Sequence, residues 1–184
     1  MRFEGLTADD LNLAGAIVSG CTFVRCDLTG ASLKDSQLSD CRFEGCELGM
    51  IDLTDAAFSA VHFDTCRLSG VRFEFLNQLP LVPDASFEGC DLSFCSFRNM
   101  DLTACAFVAC RAWEAEFLGC QLNGVDFSAT DFARCTFARN DLSGADLRTS
   151  RNYVLSPLDN NLRGARVSLP EAAGVLLAVG LIIE

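Results

Sequence analysis

Thiols, carboxylates and one imidazole are the groups in this chain that could do chemistry. The eleven cysteines are Cys21, Cys26, Cys41, Cys46, Cys66, Cys90, Cys95, Cys105, Cys110, Cys120 and Cys135. Thiols can cross-link, hold zinc or attack an electrophile, and those uses gather them in pairs and fours or set one beside a base. Here no Cys-x-x-Cys pair occurs, and the one histidine, His62, stands between Val61 and Phe63 with no obvious partner. No glycine-rich phosphate loop is present. Paired carboxylates such as Asp9 and Asp10 are, without a cleft, solvated charge. The expectation is a protein that is not an enzyme and that uses no cofactor and no metal.

Charge is the second resource. Acids outnumber bases 25 to 14, for a formal net charge of −11, and only one base is a lysine, Lys34. Such a chain will not grip nucleic acid through its phosphates, which need positive charge. It could occupy a surface that itself binds DNA, or its acidity could serve solubility alone. Half the residues are apolar, which excludes a disordered chain. The start carries Glu4, Asp9 and Asp10 where a leader would be apolar, and the longest apolar stretch, Ala172 to Ile183, falls short of the ~20 residues that span a bilayer. A cytoplasmic protein with no membrane partner is expected.

The spacing of the cysteines reveals the elements that must hold them. Written in fives, the chain reads Cys21-Thr22-Phe23-Val24-Arg25, Cys26-Asp27-Leu28-Thr29-Gly30, Ala31-Ser32-Leu33-Lys34-Asp35. The large apolar centre recurs without a gap from Leu13 to Phe73, and Phe3 shares the register. From Phe87 to Leu147 it recurs again, shifted by one residue, then weakens through Asn152 and Pro157 and recovers at Leu162 and Val167. Every cysteine lies two residues before a centre, a position otherwise held mostly by alanine and other small residues. A free thiol behaves there as a small hydrophobe, so the cysteines are packing residues.

Residues two apart in extended chain point the same way and the residue between points away. Each five therefore runs in, out, in, and leaves two residues for a corner. Residues 20 apart are alike, as in Phe3, Phe23, Phe43 and Phe63, which favours four sides to a coil; the later phenylalanines would fit a spacing of ten equally well. The expected fold is all-β, a quadrilateral β-helix of about eight coils and roughly 38 Å, given a strand spacing of about 4.8 Å.

These fives resemble the A-(D/N)-L-x-x consensus of the pentapeptide-repeat proteins, quoted directly by Ala145-Asp146-Leu147 and Cys26-Asp27-Leu28. The resemblance covers about residues 1–168 and implies a right-handed quadrilateral β-helix. The C-terminal segment, Arg151-Asn152-Tyr153 through Ser156-Pro157 and Asn161-Leu162-Arg163-Gly164-Ala165-Arg166 to Glu171, is similar to the end of the Qnr quinolone-resistance proteins. That resemblance implies a homodimer joined by its C-terminal segments. It also implies an acidic, DNA-mimicking rod that binds a type II topoisomerase, DNA gyrase or topoisomerase IV, and guards it against quinolones or a toxin. The alternative is a scaffold solenoid that binds another protein.

Three pieces could carry function. Outward acids, Asp91, Asp101, Asp126, Asp131, Asp141 and Asp146 among them, recur at a regular rise as DNA phosphates do, although aspartate also belongs to the repeat consensus and could serve the corners. The acidity is uneven, since residues 131–184 hold as many bases as acids. Residues 74–84 break the array with Pro80 and Pro83, which predicts a loop whose Leu76, Leu79, Leu81 and Val82 either fold back or meet a partner. Qnr proteins carry a loop comparably placed, which the resemblance implicates in topoisomerase contact. Residues 169–184 form the last piece. Ser168-Leu169-Pro170-Glu171 predicts a capping box, a short helix to about Ala178 ended by Gly180, and a strand at Leu181-Ile182-Ile183. A solenoid end needs a cap, and Val175, Leu176, Leu177, Val179, Leu181, Ile182 and Ile183 are too apolar to face water, so a two-fold dimer is favoured over a monomeric cap.

Overall fold

The structure, a computed structural model, describes residues 1–8, 11–78 and 83–182. Its strands are parallel, and most pair with a partner twenty residues away: Phe3 with Phe23, Phe23 with Phe43, Phe43 with Phe63. Four fives close each coil, and the chain is a right-handed quadrilateral β-helix. Some sides are three-residue strands such as Arg2–Glu4, Thr22–Val24 and Ser96–Arg98, and Gln37–Glu44 and Ala57–Asp64 are longer and carry extended pairing past a corner. Many others are held by a single parallel bridge, such as Asp27 to Glu47.

The corners explain why the repeat is five. The second corner residue adopts the left-handed conformation in coil after coil, with φ of 69° at Gly30, 55° at Met50 and 74° at Gly70. Glycine reaches that region without steric cost, and other residues pay roughly 1 kcal/mol. One left-handed residue turns the chain to the next side, so in-out-in plus two corner residues is the smallest unit that repeats.

The outward residue of each five defines four faces. Face one carries Arg42, His62 and Ser86 and ends at Asp126, Asp146 and Arg166; face two runs Asp27, Glu47, Arg67, Asp91, Arg111, Asp131, Arg151. Face three carries Asp52, Arg72, Ser96 and Glu116; face four carries Gln37, Ala57, Asp101, Gln121, Asp141 and Asn161.

Inside, centres stack in columns. Phe23 and Phe43 lie 4.7 Å apart with near-parallel rings, as do Phe73, Phe97 and Phe117 in a second column. The two columns meet edge to face, Phe97 against Phe107 at 5.5 Å and 87°, an arrangement aromatic quadrupoles favour. All eleven cysteines are buried and free. They also bond: the thiols of Cys46, Cys66, Cys110 and Cys120 donate to carbonyls of Phe23, Phe43, Phe87 and Phe97, each one coil earlier, at 3.3–3.4 Å. In later coils Thr130, Asn140, Ser150 and Asn160 occupy the same position and donate to Phe107, Phe117, Phe127 and Phe137.

The break is smaller than the sequence suggests. The first register runs on through Asn77, whose amide bonds to Ala56 as Ala57 bonds to Ser36. Leu76 takes a small site and is 5% exposed, so it fills the core and cannot be offered to a partner. Pairing resumes at Val61 with Ala85 and Phe63 with Phe87, a separation of 24 in place of 20. A four-residue insertion thus accounts for the one-residue shift in register. Where it interrupts the ladder, the Gln78 side-chain oxygen accepts the Asp101 amide at 3.3 Å.

The C-terminus departs from expectation in two respects. No capping box forms: α1 is Ala173–Leu177, without a side-chain cap, and the Glu171 carboxylate accepts the Asn152 amide at 3.0 Å. Leu181 and Ile182 are not in a strand, since no neighbouring strand offers them a ladder among the described residues. Ile183 lies outside the described residues.

Candidate functional site

The aspartates begin as corner pieces. One carboxylate oxygen accepts the backbone amide two residues on: Asp27 from Thr29, Asp52 from Thr54, Asp91 from Ser93, Asp101 from Thr103, Asp126 from Ser128, Asp141 from Ser143 and Asp146 from Arg148, at 2.8–3.1 Å. This local bond is why aspartate, like asparagine, suits such a turn. It leaves the second oxygen outward. Hydrogen bonds from Thr29, Thr54 and Ser143 hold the carboxyls of Asp27, Asp52 and Asp141 below the usual range, and the Arg148 guanidinium holds Asp146 at about 2.

The structure divides the candidate acids among three faces. On face two they are neutralised: Arg67 pairs with Glu47 at 2.9 Å, Arg111 with Asp91 at 3.7 Å and Arg151 with Asp131 at 3.0 Å. Asp131 is 6% exposed and also takes the Asn152 side-chain amide at 2.7 Å, so it is a buried structural acid and not a presented charge. Burial raises its carboxyl, but bonds from Asn152, Trp113 and Arg151 lower it further, and it stays ionised. On face one Asp146 is held by Arg148 at 2.6 Å beside Asp126.

Face four differs. Asp101 and Asp141 make no ion pair among the described residues, and their column neighbours Gln121 and Asn161 are amides. Asn161 donates to Asp141 at 3.0 Å. Gln78, the last residue described before the insertion, lies on this same side. Asp101 and Asp141 therefore share a face with Gln78, while Asp91 and Asp131 lie on face two and Asp126 and Asp146 on face one. Leu79, Leu81 and Val82 lie outside the described residues.

At the C-terminal end Leu176, Leu177, Val179, Leu181 and Ile182 are exposed, and Val175 is half-buried against the core. Between α1 and the last coil, Leu155, Leu162, Ala165, Val167 and Val175 line an apolar hollow of about 260 Å³. Leu169 and Val167 extend the exposed apolar surface.

Sequence reasoning missed two features. The alternation of acid and base on face two was visible once residues are placed 20 apart, Glu47 before Arg67 and Arg111 before Asp131. His62 has a partner, Ser86, with Nδ1 and Oγ 2.6 Å apart on the exposed outside of face one. Among the described residues no helix is long and apolar enough to cross a membrane.

The curated proteins include no match to this chain. Among solved structures it is similar to two trypsin-treated point variants of QnrB1, a plasmid-mediated fluoroquinolone resistance protein. Both are 21% identical and cover 100% of this chain and 98% of theirs, with TM-scores of 0.70 and 0.57. HetL, a pentapeptide repeat protein involved in heterocyst differentiation regulation from the cyanobacterium Nostoc, matches over 92% of this chain and 87% of its own at 18% identity and a TM-score of 0.45. At these identities the likeness to QnrB1 is one of fold. The pentapeptide repeat region family matches residues 2–78, and the pentapeptide repeats family (8 copies) matches residues 114–151. With its coils, corners and buried small sites thus placed, the chain belongs to the pentapeptide-repeat proteins.

Proposed function

We propose that this chain is an acidic solenoid that docks on the DNA-binding surface of a type II topoisomerase, DNA gyrase or topoisomerase IV, and alters its response to quinolones or a toxin. The observation that carries this reading is face four, where Asp101 and Asp141 make no ion pair among the described residues and share the side of Gln78. Regularly spaced carboxylates without counter-charges offer a DNA-binding surface what phosphates offer it. From Glu47 to Arg151, face two alternates acid with base and offers no such field. The full-length fold likeness to QnrB1 supports the same reading.

The active unit in this reading is a homodimer, joined where Leu176, Leu177, Val179, Leu181 and Ile182 are exposed. A self-complementary two-fold contact would remove that apolar surface from water.

The test is a supercoiling assay with purified gyrase and topoisomerase IV, with and without a fluoroquinolone. The wild-type protein is expected to change supercoiling or drug inhibition, and an Asp101→Asn/Asp141→Asn variant to lose most of that effect. A protein that leaves both enzymes unchanged overturns the proposal and returns the scaffold reading.

A further inference from the structure

Among the described residues fifteen non-glycine residues sit in the left-handed corner conformation, and nearly all are polar or small; the two large apolar ones are Met50, at φ 55°, and Phe94, at φ 62°. Both fall in one column, at the corner between faces two and three. Backbone bonds there run Gly30 to Gly49, Met50 to Ser69, Gly70 to Ser93 and Phe94 to Trp113, so the ridge reads Gly30, Met50, Gly70, Phe94. Met50 is 68% exposed and Phe94 62%. Phe94 and Phe75 are the phenylalanines that escape the core columns, and Phe75 is covered by the Arg72 guanidinium at 4.6 Å.

Gly70 leaves a gap between the two side chains. The gap opens into a notch of about 360 Å³, bordered by Thr29, Glu47, Arg67 and Ser69. A Cβ on Gly70 would lie 3.4 Å from Met50 Cγ and begin to close it. Bulky apolar side chains in this conformation are disfavoured, and glycine serves in the same column on either side of Met50. Packing does not explain them, because both point into water.

We propose that this notch is a docking site for a polypeptide segment that carries a large apolar side chain flanked by lysine or arginine. Met50 and Phe94 grip the apolar side chain. The flanks are chosen by charge: Asp27 on face two and Asp52 on face three are exposed, lie on either side of the ridge, and make no ion pair among the described residues, while Arg72, the base on face three at the coil of Gly70, is turned onto the Phe75 ring. Glu47 adds a third carboxylate at the rim, shared with Arg67 at 2.9 Å. This corner is two corners along the coil from the one that follows Gln78, so the site rests on no part of the topoisomerase reading and would let the rod hold a second partner.

The test uses the intact chain and a short synthetic peptide, Lys-Lys-Leu-Phe-Lys-Lys. Binding is followed by emission of Trp113, the single tryptophan, whose carbonyl accepts the Phe94 amide at 2.9 Å, and by the methyl resonance of labelled Met50. Saturable binding is expected, weakened about tenfold or more in Phe94→Gly and in Met50→Gly, as loss of an interface anchor produces. Asp101→Asn/Asp141→Asn, on face four, should bind as the wild type does. Both glycine variants should melt at or above the wild-type temperature, because glycine suits the corner. Equal binding by Phe94→Gly overturns the proposal, and so does equal binding of Lys-Lys-Gly-Gly-Lys-Lys or of Glu-Glu-Leu-Phe-Glu-Glu. A clear fall in melting temperature for Phe94→Gly also overturns it, by making Phe94 a structural residue.

Discussion

The backbone N–H of Cys46 donates to the sulfur of Cys66, 3.3 Å away and one coil on, and the Cys66 thiol donates in turn to the Phe43 carbonyl at 3.3 Å. The thiol is thus a link in the wall as well as a filler. Thr130 makes the same two bonds, accepting from Cys110 and donating to Phe107. Cys66→Thr should therefore keep the link, and Cys66→Val, of equal shape, should leave a buried amide unpaired at a cost of about 1–3 kcal/mol. Urea unfolding of the two variants checks this; equal stabilities would show that the sulfur only fills space.

The same burial makes the fold sensitive to alkali. Burial pushes Cys95 and Cys105 up to about 12 from the ordinary 9.0, and Cys90, bonded to Cys110 and then buried, reaches about 12 as well. A raised folded value means stability that is complete below pH 9 and lost as pH climbs toward 12, because the unfolded thiols release protons first. Each such thiol removes about 1 kcal/mol per pH unit in that window. The urea midpoint should hold steady from pH 7 to 8.5 and fall steeply by pH 10. A flat profile would mean that the thiols ionise within the fold.

At the corners the sign reverses. Carboxyls held low by their amide and hydroxyl bonds, Asp27, Asp52, Asp141 and Asp146, stabilise the fold above pH 4 and lose that contribution as pH falls through their folded values. Asn161 accepts the Arg163 amide at 3.2 Å in the same way, without charge. Asp52→Asn should therefore keep neutral-pH stability and reduce the acid dependence. Asp52→Ala should lose roughly 0.5–1.5 kcal/mol, the usual contribution of one hydrogen bond. Thermal melts between pH 3 and 7 distinguish the two.

Ile182 is 88% exposed at the apolar C-terminal surface. If that surface joins two copies, the wild-type protein runs at twice its monomer mass of 19.9 kDa, and Ile182→Asp at the monomer mass with an unchanged melting curve for the coils. Light scattering behind size exclusion measures both. A monomeric wild type removes the dimer.

How much of this was legible follows from two periods. Burial alone sets the five: a one-residue slip would put Phe23 or Cys26 in water, so the centres, the small sites and the shift after Phe73 could be read directly from the spacing. The twenty was visible only as likeness between residues such as Phe43 and Phe63. The insertion hid it, because a shift of one residue fits several loop lengths. Only pairing of Phe63 with Phe87 fixes the loop at four residues, and that number assigns every later acid to its face.

By itself the sequence determined an all-β coil of fives with thiols and phenyl rings inside, because side-chain size and polarity are local properties that repeat with the chain. Tertiary structure alone decided that Asp131 is buried against Arg151, that Leu76 turns inward, and that Asp101 and Asp141 share a face on which neither has an ion pair among the described residues. Those outcomes depend on which residues stack across coils, and stacking is set by backbone hydrogen bonds that no residue specifies from within its own five.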